Sequence, residues 1–203
     1  MSKVLTGANK LAQNNAEQKG FTLVELLIVV VILGVLLVIY MSTIGGGTNT
    51  ANAGAIRGAG AEMARGVGFI NINLGTGIDT SSSNPLTATG EDMMDVLVKG
   101  RASVSSTYQA AYDQLKMRPL QGKVNVRGSG FDMLGYGVSF VQGTSCLTNK
   151  VCTQFTNVPS EVVQQLALKE GITYTTTASS ANENLHWDAA TGGTHTVTIL
   201  AYP

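Results

Sequence analysis

Residues 21–41 read FTLVELLIVVVILGVLLVIYM, and residues 26–41 of this stretch contain no charged side chain. At about 1.5 Å of rise per residue, a helix of this length reaches roughly 30 Å, which is the thickness of the hydrocarbon core of a bilayer. The stretch is therefore predicted to be a helix that can span a membrane. One carboxylate, Glu25, lies near its N-terminal end. Because an ionised side chain is costly in such a segment unless it is paired, we expect Glu25 to have a partner.

The flanking charges predict how this segment is oriented. Residues 1–20 carry Lys3, Lys10 and Lys19 against a single acid, Glu17, and the first charge after the apolar run is Arg57. An excess of lysine before the segment keeps that side in the cytoplasm, so residues 76–203 are expected outside the inner membrane. A cleaved secretory signal is disfavoured, because its apolar core is usually 7–15 residues long. A plain uncleaved anchor remains compatible with hydrophobicity alone.

The boundary at residues 19–25, KGFTLVE, resembles the class III signal of type IV pilins. In that family a prepilin peptidase cuts after the glycine, the new N-terminal residue is N-methylated, and a glutamate stands fifth in the mature chain. The resemblance implies that residues 1–20 are a leader, that Gly20 and Phe21 are the processing residues, and that Thr22 and Glu25 act in assembly. It also implies that the Glu25 carboxylate of one subunit pairs with the Phe21 amine of its neighbour in a homopolymer.

The residues after the apolar run predict a second helical part, residues 42–75. Apolar residues recur every three or four positions, as on one face of an amphipathic helix. The members of this set are Ile56, Ala59, Met63, Val67 and Ile70. Gly45, Gly46 and Gly47 precede it, and each glycine costs a helix interior about 1 kcal/mol relative to alanine. A break is therefore predicted there, with Gly34 as a second point of helix flexibility, as in the pilin helices that this pattern resembles.

Residues 76–203 are predicted to form a globular α+β head domain. Short helices are expected at residues 91–99, 106–117 and 160–169, and strands at residues 123–127, 136–141, 172–177 and 194–202. The four strands would form one antiparallel sheet laid against the amphipathic part of the long helix. The predicted fold class is therefore α+β, with a long N-terminal helix packed on an antiparallel sheet, as in pilins.

The chain contains two cysteines, Cys146 and Cys152, which enclose LTNKV. We predict a disulfide between them in an oxidising compartment, with two reduced thiols as the alternative. Metal binding is not expected, because no further cysteine or clustered histidine completes a ligand set. His186 and His195 are predicted to be exposed, and Trp187 either caps the core or marks an adhesive surface. No cofactor and no catalytic constellation is expected, so the chain is not predicted to be an enzyme.

Composition limits the functional classes. The 203 residues are 44% apolar and 13% charged, with 13 basic and 13 acidic side chains, so nucleic acid binding is not indicated. The twenty-residue leader resembles that of type IVb pilins, whereas Phe21 is typical of type IVa. The expected function is a major pilin that is stored in the bacterial inner membrane and polymerised into a surface filament by an inner-membrane assembly machinery. Such filaments serve adhesion, motility, DNA transfer or DNA uptake. The alternatives are a pseudopilin of a type II secretion system and an anchored periplasmic binding module that does not polymerise.

Overall fold

The computed structural model describes residues 23–77, 79–117, 120, 123–142, 146, 151–179 and 184–200. At residues 23, 25, 35 and 37–46 it describes the backbone alone. The chain divides into two units, Met1–Ile44 and Gly45–Pro203. The predicted leader, residues 1–20, lies outside the described residues.

Four helices and six strands make up the described part of the chain. The helices are α1 (Leu23–Leu74), α2 (Met93–Lys99), α3 (Gln109–Gln114) and α4 (Ser160–Lys169), and a 3₁₀ turn (Gly100–Ser103) follows α2. The strands are β1 (Asn125–Arg127), β2 (Gly130–Met133), β3 (Tyr136–Val141), β4 (Cys152–Pro159), β5 (Leu185–Trp187) and β6 (Thr194–Leu200). The strands form one sheet in the order β1-β2-β3-β4-β6-β5, with antiparallel neighbours throughout. The predicted α+β fold class is confirmed.

The predicted break at Gly45, Gly46 and Gly47 is not present, because α1 is helical from Leu23 to Leu74. Glycine weakens a helix by roughly 1 kcal/mol but does not forbid helical dihedrals, and the long flanking segments keep the backbone hydrogen-bonded. The helix ends where Gly75 adopts a positive φ of 66°, a common way for helices to stop. The helix flexibility predicted at these glycines and at Gly34 concerns the assembled filament and stays a prediction.

The amphipathic part of α1 packs on one face of the sheet, as predicted. Ile56, Met63, Val67 and Ile70 are at most 2% exposed, and Ala59 packs against the same core. Pairs in register across antiparallel strands share a face, so Thr153 with Ile199 and Phe155 with Val197 all belong to the face that meets the helix. The opposite face carries polar side chains such as Ser139, Gln154 and Thr156. The core of the second unit therefore lies between this face and helices α1 and α4.

Several predicted elements need correction. Residues 172–177 are not a strand, and three strands that the sequence did not indicate are present: β2, β4 and β5. The segment around β2 was predicted to be a long turn, but Leu134 and Gly135, with φ values of 57° and 84°, form a two-residue turn that lets β2 pair with β3. A leucine rarely adopts left-handed backbone dihedrals, so the residue types at positions 134 and 135 did not predict this turn. The helix expected at residues 106–117 is shorter, spanning Gln109–Gln114.

The predicted exposure of His195 is wrong, since this side chain is 2% exposed. Its Nδ1–H donates to the carbonyl oxygen of Asp188 at 2.7 Å, and its Nε2 lies 2.9 Å from the Tyr174 hydroxyl oxygen, within hydrogen-bond distance. Trp187 is fully buried and its Nε1–H donates to the carbonyl oxygens of Thr175 and Thr177. Residues 172–177 thus run across β5 and β6, where Tyr174 stacks on Trp187. Trp187 caps the core, and His186 stays partly exposed.

Candidate processing and assembly site

The predicted processing residues precede the first described turn. Gly20, Phe21 and Thr22 lie outside the described residues, and α1 begins at Leu23. Glu25 is in the first described turn, with its backbone helical. The Glu25 side chain is outside the described part of the chain, so the pairing expected of its carboxylate stays a prediction.

The first unit carries a helical surface that is apolar on all sides. Residues 26–33 are all large and aliphatic, and each is between 48% and 61% exposed. Eight consecutive residues cover more than two helical turns, so no side of this segment is polar. Within the described residues, no helix has the combination of length and hydrophobicity that crossing a membrane would require.

The second unit holds the rest of α1 through specific polar contacts. The Thr153 hydroxyl on β4 donates to the Gly60 carbonyl oxygen at 3.2 Å, and the Asn52 amide donates to the Tyr136 hydroxyl at 3.3 Å. The Arg57 guanidinium forms an ion pair with the Glu170 carboxylate just beyond α4. These contacts fix residues 52–60 of the helix onto the sheet and onto α4.

Two of the candidate flexible glycines, Gly34 and Gly47, have open space around them among the described residues. A Cβ atom added to Gly34 or to Gly47 would meet nothing within 4 Å. Gly45 and Gly46 have their backbone described and are helical. Close contacts among the described residues therefore do not explain why positions 34 and 47 are glycine.

The predicted cysteine pair is joined in the structure. Cys146 and Cys152 form a disulfide with their Cα atoms 5.8 Å apart. Cys152 is the first residue of β4 and is 2% exposed. The bridge therefore ties Cys146 to the first residue of β4, a central strand of the sheet. The two sulfurs are not the free thiols that the sequence left as an alternative.

Two exposed apolar residues of α1 were not singled out by sequence reasoning. Phe69 is 47% exposed and Ile72 is 78% exposed, both on the side of the helix opposite the core residues Val67 and Ile70. Arg65, one turn earlier, is exposed as well. The sequence did contain a signal for them: apolar residues at 67–72 occur on more than one side of the helix. An amphipathic helix buries only one side, so the apolar residues on another side are expected to be exposed.

Comparison with known proteins gives one match. The model of the family described as "Prokaryotic N-terminal methylation motif" matches residues 15–41, which include the KGFTLVE boundary and the apolar run. Searches of curated proteins and of solved structures returned no significant match. The motif implies processing by a prepilin peptidase and assembly into a type IV filament. The N-terminal segment of this chain is therefore a type IV pilin-like prepilin signal, the signal of a pilin-like or pseudopilin precursor.

Proposed function

We propose that the chain is the major structural subunit of a type IV pilus. The observation that supports this is the coincidence of the methylation motif with a helix that is apolar on every side. In this proposal the prepilin peptidase cleaves after Gly20 and leaves the apolar helix attached to the head domain. The precursor is stored in the inner membrane, and the mature chain is extruded as a homopolymer on the cell surface.

The apolar helix exchanges one apolar environment for another in the assembly step. Residues 26–33 expose large aliphatic side chains, which lipid covers in the precursor and neighbouring helices cover in the filament. Lipid tails are as apolar as these side chains, so close packing between helices, rather than removal from water, stabilises the filament core. Apolar packing has little directional preference, so it leaves the register of the subunits undefined.

Glu25 supplies the register in this proposal. Cleavage after Gly20 creates an α-amine at Phe21, which is cationic at neutral pH. A buried carboxylate without a partner is strongly unfavourable, whereas one paired with an amine is tolerated. The subunits therefore stack where Glu25 of one chain meets the amine of its neighbour. Thr22 lies between the two charged groups along the chain and is assigned to the same contact.

The decisive experiment is to shear the cells and sequence the N-terminus of the released protein. We expect N-methylated Phe21 in sheared filaments at native expression. A processed chain that stays in the cell envelope would instead identify a pseudopilin, and an intact Met1 in the membrane fraction would identify a non-polymerising anchored protein.

A pair of variants at residue 25 tests the register. Glu25→Gln keeps the size and removes the charge, and Glu25→Leu removes the polarity as well. Both are expected to be cleaved normally but to enter filaments poorly when they are co-expressed with the wild-type chain. Glu161→Gln, at an exposed acid on α4, is the matched control and should assemble normally. Normal incorporation of the Glu25 variants would remove the role assigned to this residue.

A further inference from the structure

The outward side of α1 carries a large apolar knob near its C-terminal end. Phe69 is 47% exposed and Ile72 is 78% exposed. Residues three apart on a helix are neighbours on its surface, so the two side chains form one patch. The core residues Val67 and Ile70 point the other way and are fully buried. Nothing in the described part of the second unit covers the knob.

The same helix borders an apolar hollow closer to the start of the second unit. The hollow is open to solvent on one side and has a volume of about 260 Å³. Its lining includes Gly58 and Ala59 of α1, together with Leu120, Val124 and Met133. A Cβ added to Gly58 would meet nothing within 4 Å, so the helix side of the hollow is open. A cavity of about 150 Å³ accommodates a benzene ring, so this hollow has room for the ring of a phenylalanine.

The knob and the hollow cannot meet within one chain. Phe69 lies eleven residues after Gly58 on the same helix, a distance of about 16 Å. A surface patch that complements a hollow elsewhere on the same molecule forms a head-to-tail contact, and such contacts propagate into helical filaments when they do not close. We propose that Phe69 and Ile72 of one subunit insert into the hollow at Gly58 of a second copy of this chain. The proposal rests on the proposed function and names one of the contacts that repeat along the filament.

Opposite charges accompany the two halves of this contact. Arg65 lies one turn before Phe69, and Glu62 is the acidic residue that lines the hollow, where Lys123 also lies. Neither Arg65 nor Glu62 forms an ion pair among the residues described in the structure. Arg65 beside the knob can pair with Glu62 of a second copy in this arrangement, whereas Lys123 leaves the hollow without net charge, so the pair fixes the register of the contact rather than attracting the two copies over a distance.

Disulfide trapping tests the contact directly. The double variant Gly58→Cys/Phe69→Cys cannot close within one chain, because Cα atoms more than about 7 Å apart are not bridged. Under mild oxidation of whole cells, it should give a ladder of covalent oligomers on a non-reducing gel. The control is Gly58→Cys/Leu168→Cys, since Leu168 is another exposed apolar side chain, on α4. A Phe69 pair that crosslinks no better than the Leu168 pair would overturn the proposal.

Filling the hollow tests the same contact without oxidation. Gly58→Leu places a side chain where the incoming ring would lie, and we expect a roughly tenfold loss of sheared filament, the equivalent of about 1.4 kcal/mol per contact. Ala110→Leu is the control, because it also introduces a leucine at an exposed helical position, on α3 rather than beside Phe69 and Ile72. Unchanged thermal unfolding of both variants, followed by Trp187 fluorescence, shows that the head domain is intact. Equal filament yield from the two variants contradicts the inference.

The two proposals fail in different ways. If the wild-type chain forms methylated filaments but the Gly58 and Phe69 variants behave like their controls, the contact is wrong and the pilin function stands. If the wild-type chain releases no filament, the pilin function fails, and the crosslinking assay still decides whether two copies meet at these residues. A ladder in the membrane fraction would support the contact, and its absence would refute it.

Discussion

The hydroxyl of Thr153 on β4 donates a 3.2 Å hydrogen bond to the backbone carbonyl oxygen of Gly60 on α1. Thr153 is fully buried, and β6 approaches the same point of the helix, because a Cβ on Gly60 would lie 3.3 Å from Ile199 Cβ. The backbone of α1 at Gly60 therefore lies in direct contact with side chains of the sheet. This contact sets the depth at which the second part of α1 sits on the head domain.

The closeness at Gly60 predicts opposite outcomes for two neighbouring glycines. Gly58→Ala should stabilise the chain by about 0.5–1 kcal/mol, since alanine favours the helix and the added Cβ meets nothing. Gly60→Ala should be less stable than Gly58→Ala by about 1–3 kcal/mol, because Ile199 on the buried strand must move. Urea unfolding of the processed subunit in mild detergent, followed by fluorescence of the single tryptophan, measures both. Equal stabilities would show that the helix is free to shift.

The start of α2 depends on a reciprocal cap between two acids. The Asp92 carboxylate accepts from the backbone N–H groups of Met94 at 2.8 Å and Asp95 at 3.0 Å, and the Asp95 carboxylate accepts from the Asp92 N–H at 2.9 Å. Asp92→Ala is expected to cost about 1 kcal/mol, whereas Asp92→Asn retains an acceptor and should cost far less. The same tryptophan-detected unfolding gives the comparison. A similar cost for the two variants would mean that the carboxylate charge, rather than the cap, matters.

The Cys146–Cys152 bridge predicts a defined stability loss. A closed loop of about seven residues restricts the unfolded chain by about 2.4 kcal/mol in the chain-entropy estimate. The double variant Cys146→Ala/Cys152→Ala should lose stability of about that size, and a reducing agent should have no further effect on it. Mass spectrometry of the purified protein, with and without reduction, checks that the wild-type bridge is present. A stability unaffected by the double substitution would indicate that β4 holds its place without the bridge.

Lys99 makes the head domain sensitive to acid. Its Nζ lies 2.8 Å from Asp95 Oδ1 and 2.9 Å from Glu91 Oε2. Burial tends to raise the pKa of Asp95, but the hydrogen bonds from Lys99 and from the Asp92 backbone outweigh it and leave that pKa below its ordinary value of 3.8. The Asp95 carboxylate therefore binds a proton more readily in the unfolded chain than in the folded chain. The stabilisation from Asp95 is therefore complete when the pH is above the ordinary pKa of 3.8, and it is lost as the pH falls through the lower pKa of the folded chain.

Replacing Lys99 by Met should raise the Asp95 pKa and make the loss of stability between about pH 5 and about pH 2 less steep. Asp92 opposes this trend in both proteins, because burial raises its pKa and its contribution is lost as the pH rises. Lys123→Met, at an exposed lysine without an ion pair in the described chain, is the control and should leave the slope unchanged. The midpoint of urea unfolding, measured against pH, gives both slopes. Parallel curves for Lys99→Met and wild type would contradict the assignment.

The sequence correctly predicted the helices whose structure depends mainly on residues close together along the chain. The amphipathic repeat from Ile56 to Ile70 identified the face of α1 that is buried, because helical periodicity depends on residues three and four apart. Helix α4, Ser160–Lys169, has the predicted bounds, with Pro159 before it and Gly171 after it. The KGFTLVE boundary predicted the prepilin signal for a related reason, since a peptidase reads a short contiguous stretch.

Only the tertiary structure decided the sheet, the burial of polar residues and the open surface of α1. Strand β4 reads CTQFTNVP, in which half of the residues are polar, and it becomes a central strand because β3 and β6 complete its hydrogen bonds. His195 is buried with both ring nitrogens in contact with polar partners, the Asp188 carbonyl seven residues before it and the Tyr174 hydroxyl twenty-one residues before it. Phe69 and Ile72 are exposed because the sheet covers just one side of the helix. Sequence by itself determined the prepilin signal and the long helix, whereas long-range pairing determined which surfaces of that helix stay exposed.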